Sequence, residues 1–266
     1  MNYKYLTSDK LLNKLDKQSS EEKLSEIPEG LIQLVDNDII NYCFNKKTGL
    51  KEKPTPRVLV NWVKNGIVKV DEKDKGKIKR FDKLESIWLN ILVEMRDFGL
   101  PIKSIQRARK ILFEYAFKNL TLFKFQILNT IIKEQQILVV YKDGASRIID
   151  IDGYTKLLNK HFLQPHLSFK LTDFIELEYP NNSFNQNFNI TAPFENIGKM
   201  KLLFFLRTGE FQFMKVKLSE GDTRYIENVE MLLKSEDVLK AFLDWKFEEI
   251  IISIDDEANT VITSKN

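Results

Sequence analysis

Four residues between Arg57 and Lys64 have the types and the spacing to read a nucleic-acid surface. Arg57, Val60, Asn61 and Lys64 stand at i, i+3, i+4 and i+7, so a helix places them on one face. Arginine grips guanine through two hydrogen bonds, and asparagine grips adenine in the same way. A valine methyl suits a thymine methyl, and a lysine suits a phosphate. Close by, Lys73, Lys75, Lys77, Lys79 and Arg80 supply five further cations. The competing reading for all nine is a solvated, lysine-rich surface.

Charge concentrates on the same stretch. From Lys46 to Arg80 there are twelve Lys or Arg against four Asp or Glu, a net of +8. Residues 1–45 carry −3, residues 81–118 carry +2 and residues 119–266 carry −4, in a chain whose total is +3. One basic patch in an otherwise acidic chain is the footprint of a polyanionic partner.

Local signals place these residues on elements. Thr55-Pro56 opens a helix, with Thr able to cap the first turn and Pro at the first helical position. Lys64-Asn65-Gly66 closes it about ten residues later, roughly one short recognition helix in length. Leu59, Trp62 and Val63 face inward. Ile67 to Phe81 alternates on both sides of a charged turn at Gly76, which predicts a β-hairpin. Asp82 and Glu85 form a capping box ahead of a helix carrying Leu84, Trp88, Leu92, Met95 and Phe98. Gly99 stops that helix and Pro101 starts the next. Trp62, Trp88 and Phe98 are assigned to the core.

The order helix, basic hairpin, helix, glycine break, helix over about residues 54–111 resembles the DNA-binding region of the MerR family. The stretches TPRVLVNWVKNGIV, KIKRFDK and ILVEMRDFGLPIKSI carry the likeness. The sequence departs from the family at Val58, Leu59, Val60 and Asn61, where Thr-Leu-Arg and an aromatic are usual, and at Lys77, where a glycine is usual. The resemblance implies a winged helix-turn-helix whose first helix covers 36–46. Its DNA contacts would be Arg57, Val60, Asn61, Lys64, Lys73, Lys75, Lys77, Lys79 and Arg80. It also implies a homodimer paired through the helix that follows.

The expected fold class is α+β: a mostly helical N-terminal half containing the winged helix-turn-helix, then an α+β domain with a mostly antiparallel sheet. The expected divisions are an N-terminal helical extension at 1–35, the DNA-binding domain at 36–118, a helical connector at 119–136 and an α+β domain at 137–266. The connector pairs with its copy or packs onto the C-terminal domain; the pattern allows both. Hairpins are expected around Asp143-Gly144, around Thr208-Gly209 and over 255–259. Short helices are expected at GYTKLLNKHF and at SEDVLKAFLDWK, where Ser235 is a candidate cap. The Asn-rich stretch 180–198 reads as a loop.

Catalytic signatures are missing. There is no glycine-rich phosphate loop, no G-x-S-x-G elbow and no H-E-x-x-H. His161 and His166 are five apart with Pro165 between them, a poor fit to a shared metal. Cys43 is the only cysteine and reads as a small buried apolar residue. Asp255-Asp256 and Glu248-Glu249 read as solvated charge. The expectation is therefore not an enzyme, with no cofactor and no metal. The N-terminus is polar from the start, and nothing approaches the roughly 20 apolar residues of a membrane span, which points to the cytoplasm. The function expected is sequence-specific binding of double-stranded DNA by a transcription regulator. The alternatives are an accessory or architectural DNA-binding protein of a mobile element, phage or plasmid, and a winged-helix protein-interaction module.

Overall fold

A computed structural model describes residues 9–47, 54–70, 80–117 and 120–264. Helices α1 (Asp9–Ser25), α2 (Glu29–Val35), α3 (Asp38–Asn45) and α4 (Pro56–Lys64) lead into α5 (Lys83–Asp97) and α6 (Ile102–Phe113). A short hairpin of β1 (Ala116–Phe117) and β2 (Leu120–Thr121) precedes α7 (Leu122–Ile132). Then come β3 (Gln136–Tyr141), β4 (Ser146–Asp150), α8 (Ile151–Asn159), β5 (His166–Lys170) and α9 (Leu171–Glu178). The remainder is α10 (Ile197–Thr208), β6 (Phe213–Ser219), β7 (Asp222–Ile226), α11 (Val229–Leu233), α12 (Glu236–Asp244), β8 (Glu249–Ser253) and β9 (Asn259–Thr263). The fold is α+β, helical toward the N-terminus and richer in antiparallel sheet toward the C-terminus.

The chain divides into two compact units. The first holds residues 1–27, 46–130 and 134–178; the second holds 28–45, 131–133 and 179–266. This division runs differently from the boundaries expected at 36, 119 and 137. The helix expected over 36–46 as the first of the winged helix is α3, and it belongs to the second unit.

In the first unit α5 is the central helix. Ile87, Trp88, Leu89, Ile91, Leu92 and Met95 are all buried, and α9 packs along it. Glu178 at the end of α9 accepts from Ser86 Oγ (2.7 Å) and Asn90 Nδ2 (3.2 Å), while Asn90 Oδ1 stays buried without a hydrogen-bond partner. The three-stranded sheet has the order β4-β3-β5, with β3 buried along most of its length. On α6, Arg107 forks onto Asp16 of α1 (2.8 and 2.9 Å) and reaches Asp143 in the β3–β4 turn (2.6 Å). This turn confirms the hairpin expected at Asp143-Gly144. Gly144 has a φ of +85°, and an added Cβ would overlap the Ser104 carbonyl of α6. Backbone conformation and close approach thus both require glycine. Gly144→Ala is expected to destabilise the protein by more than about 2 kcal/mol in urea unfolding, from the left-handed strain plus the clash.

In the second unit the four-stranded sheet has the order β7-β6-β8-β9, all antiparallel. Met214, Val216, Ile250, Ile252 and Ile262 line its buried face. The β8–β9 hairpin closes on Asp255 as expected, with Asp255 Oδ1 accepting from the Glu257 and Ala258 amides. Tyr42 of α3 donates to Asp255 Oδ2 (2.7 Å), and that bond raises its phenol to about 12. Cys43 is buried, as its pattern predicts. Glu248, expected to be solvated, pairs with Lys217 on the surface (2.6 Å).

Three expectations from sequence need correction here. The run LLFFLRTGEFQFMKVKL is not a hairpin: its first half lies in α10 and its second in β6. Asn196 caps α10 through the Lys199 amide (2.8 Å), and Gly209 ends it. Met200, Leu202, Leu203, Phe204, Phe205 and Leu206 are all buried, so the helix has no polar face to reveal its period. The connector expected to be helical over 119–136 is helical only at α7, with β2 of the β1–β2 hairpin ahead of it. Ser235 occupies the N-cap of α12, but its hydroxyl donates backward to the Met231 carbonyl (2.9 Å) instead of capping.

Candidate nucleic-acid interface

The local signals around α4 produce the helix they predict. Thr55 Oγ1 accepts from the Val58 amide (3.4 Å), and Pro56 fills the first helical position. At the other end the Gly66 amide bonds the Val63 carbonyl (3.0 Å) and the Ile67 amide bonds the Trp62 carbonyl (3.1 Å). Gly66 has a φ of +67°, the left-handed conformation this helix ending demands. Leu59 and Trp62 are buried while Arg57, Val60, Asn61 and Lys64 are all exposed. The four residues therefore share a solvent-facing surface.

Two details change what that surface offers. Asn65 Nδ2 donates to Asn61 Oδ1 (3.0 Å) and to the Asn61 carbonyl (2.8 Å). One of the two acceptor positions of the Asn61 amide oxygen is thus taken, while its amide nitrogen stays open to a ligand. Val58 is also exposed, at 38%, beside Val60 at 45%.

Several buried or partly buried polar contacts anchor the C-terminal end of α4 and the residues after it. Gln106 Nε2 on α6 donates to the Asn65 carbonyl (2.7 Å), and Trp88 Nε1 donates to the Ile67 carbonyl (2.7 Å). Glu85 receives the Lys69 amide on one oxygen (2.8 Å) and Arg109 on the other (2.7 Å). The Arg109 guanidinium lies 3.6 Å from the Phe113 ring centre and 5.7 Å from that of Trp88. Burial pushes the Glu85 carboxyl above the usual carboxylate range, and Arg109 and the Lys69 amide pull against that shift. Asp82 caps α5 through the Glu85 amide (2.8 Å), as the capping box predicts. The Glu85 side chain, however, serves Lys69 and Arg109.

Of the residues expected to form a wing, Lys73, Lys75, Lys77 and Lys79 lie outside the described residues, as does Gly76 at its expected turn. Ile67–Val70 carry no assigned strand, Arg80 is exposed and Phe81 is buried. Phe98 is not core: it is 68% exposed at the C-cap of α5, one residue past the face that Leu92 and Met95 bury. Its chain neighbour Asp97, with Val58, Asn61, Trp62, Val93, Arg96 and Ile102 among others, lines a groove of about 500 Å³. The positioning roles of Gln106 and Arg109 carry no local sequence signal, because their partners are 41 and 24 residues away.

Elsewhere, His166 meets the Tyr154 hydroxyl (2.9 Å) and the Gln164 carbonyl (2.7 Å) through its two ring nitrogens. Among the described residues no cluster of His, Cys, Asp or Glu is arranged to hold a metal ion. Among the same residues no helix is long and apolar enough to cross a membrane. Most side chains of α7 are buried within the chain itself, which leaves little of that helix open to a second copy.

No family model, curated protein or solved structure matches the chain.

Proposed function

We propose that the chain binds double-stranded DNA through α4 and the basic segment after it, as a MerR-like winged-helix transcription regulator in the cytoplasm. The observation that carries the reading is the exposure of Arg57, Val60, Asn61 and Lys64 together on a capped helix of nine residues. The helix is a size that enters a major groove, and it lies within the segment of net +8. A homodimer on an inverted repeat is part of the proposal; its contact surface must lie outside α7. Selection of duplexes from a random-sequence pool tests the reading. One enriched motif with steep salt dependence is expected; binding with no enrichment favours an accessory or architectural role, and no binding ends the DNA reading.

One observation favours a second reading. The groove beside Val58 of α4 and the exposed Phe98 at the end of α5 offer apolar surface, as a protein-interaction module would. In that case Phe98→Ala abolishes capture of a partner while leaving duplex affinity unchanged.

A further inference from the structure

A second concave site in the first unit has the chemistry of a nucleotide pocket, and it does not involve α4. It lies between the β3–β4 turn and the residues that follow α8. Its volume is about 600 Å³, within the range of small-ligand sites of about 300–1,000 Å³. Tyr141, Lys142, Arg147, Phe162, Gln164 and Pro165 contribute most of its lining.

Both walls are held in place. The turn is fastened to α6 by Ser104 Oγ on the Lys142 carbonyl (2.7 Å) and by the close approach at Gly144. On the other wall α8 ends with the His161 amide on the Leu158 carbonyl (2.9 Å) and the Phe162 amide on the Leu157 carbonyl (3.0 Å). His161 has a φ of +55°, strained for a residue with a side chain. At such a helix end the next residue usually folds back onto apolar helix side chains. Phe162 instead remains 67% exposed at the rim of the pocket. A strained turn therefore presents an aromatic face to solvent.

The polar side is cationic. Arg147 is fixed by a hydrogen bond from its NH2 to the Tyr141 hydroxyl (2.6 Å) and lies 5.4 Å from that ring centre. Lys142 is exposed beside it. The one carboxylate in the lining, Asp143, is already paired with Arg107 (2.6 Å). A fixed cation, an exposed lysine and an open aromatic face suit a flat base joined to a phosphate.

We propose that this pocket binds a nucleotide unit, with the base stacked on Phe162 and the phosphate held by Arg147 and Lys142. The unit can come as a free nucleotide or as part of a single strand. Fluorescence anisotropy with labelled ten-nucleotide oligo-dT and calorimetry with ATP separate the two sources. Phe162→Ala, at an exposed position, and Arg147→Gln are each expected to weaken binding of the preferred probe by about tenfold. Arg57→Ala is expected to leave it unchanged, which keeps this site distinct from α4. Circular dichroism of each variant verifies the fold. If neither probe binds at about 1 mM, or if Phe162→Ala leaves both affinities unaltered, the proposal is overturned.

Discussion

Arg109→Leu is expected to destabilise the protein by about 3–5 kcal/mol, because it strands a buried carboxylate without its cation. Glu85 and Arg109 are both buried, and their side chains are only 8% and 7% exposed. The same substitution removes the guanidinium from its place 3.6 Å over Phe113. Leucine restores apolar contact with that ring, so the cost falls mainly on Glu85. Urea unfolding of the single and double variants separates the contributions. Arg109→Leu with Glu85→Leu removes both charges and recovers much of the loss. Recovery stays incomplete, because the Lys69 amide then lacks its acceptor, a cost of about 1–3 kcal/mol. The deficit of Arg109→Leu also depends on pH. Burial already raises the Glu85 carboxyl, so the folded variant takes up a proton more readily than the unfolded chain. Stability of the variant therefore rises as pH falls from 8 toward 5, relative to the parent protein. A loss under about 1 kcal/mol at pH 8 is incompatible with a buried pair that anchors the backbone at Lys69.

Arg57→Ala and Asn61→Ala are each expected to cost about 1–3 kcal/mol of discrimination between the preferred duplex and a mismatched one. That is roughly a 5- to 150-fold loss of specificity per residue. Lys64→Ala and Arg80→Ala are expected to weaken all duplexes alike and to lower the salt slope by about one each. Asn61 carries a further expectation. Adenine is normally read by the amide oxygen and nitrogen together. Asn65 occupies one of the two acceptor positions of that oxygen, which biases Asn61 toward donating, as to a purine N7 or another groove acceptor. Asn65→Ala frees that oxygen and is expected to shift the preferred base toward adenine. Binding profiles that respond identically to Arg57→Ala and Lys64→Ala remove the distinction between base and phosphate contacts.

The parts of the molecule legible in sequence are those whose partners are close along the chain. Thr55, Pro56, Gly66, Asp82 and Pro101 mark the ends of α4, α5 and α6 within a residue or two, because caps act within one turn. The Asp143-Gly144 turn and the 255–259 turn were visible for the same reason. Misreadings arose where burial on all sides erased the period, as in α10, or where a periodic stripe outran the core beneath it, as at Phe98. The β5–α9 stretch carried no signal strong enough to separate it from its neighbours. At the candidate interface the exposed face of α4 followed from spacing alone. The Asn61–Asn65 bond and the Glu85–Arg109–Lys69 contacts depend on where side chains go after the chain folds, which no local pattern encodes.

The make-up of the second unit also governs how the protein is born. Its helices α2 and α3 leave the ribosome well before residues 179–266, against which Phe44 meets Phe204 and Gly30 approaches the Phe194 carbonyl. At about 5–20 residues per second the wait is roughly ten seconds or more. During it Leu31, Ile32, Leu34, Val35, Ile40 and Phe44, all buried in the finished fold, have no core to enter. The first unit can close in that interval, since after its opening segment only residues 131–133 interrupt its arrival. Nascent chains stalled near residue 178 should therefore hold chaperones at 28–45 and release them once synthesis runs on.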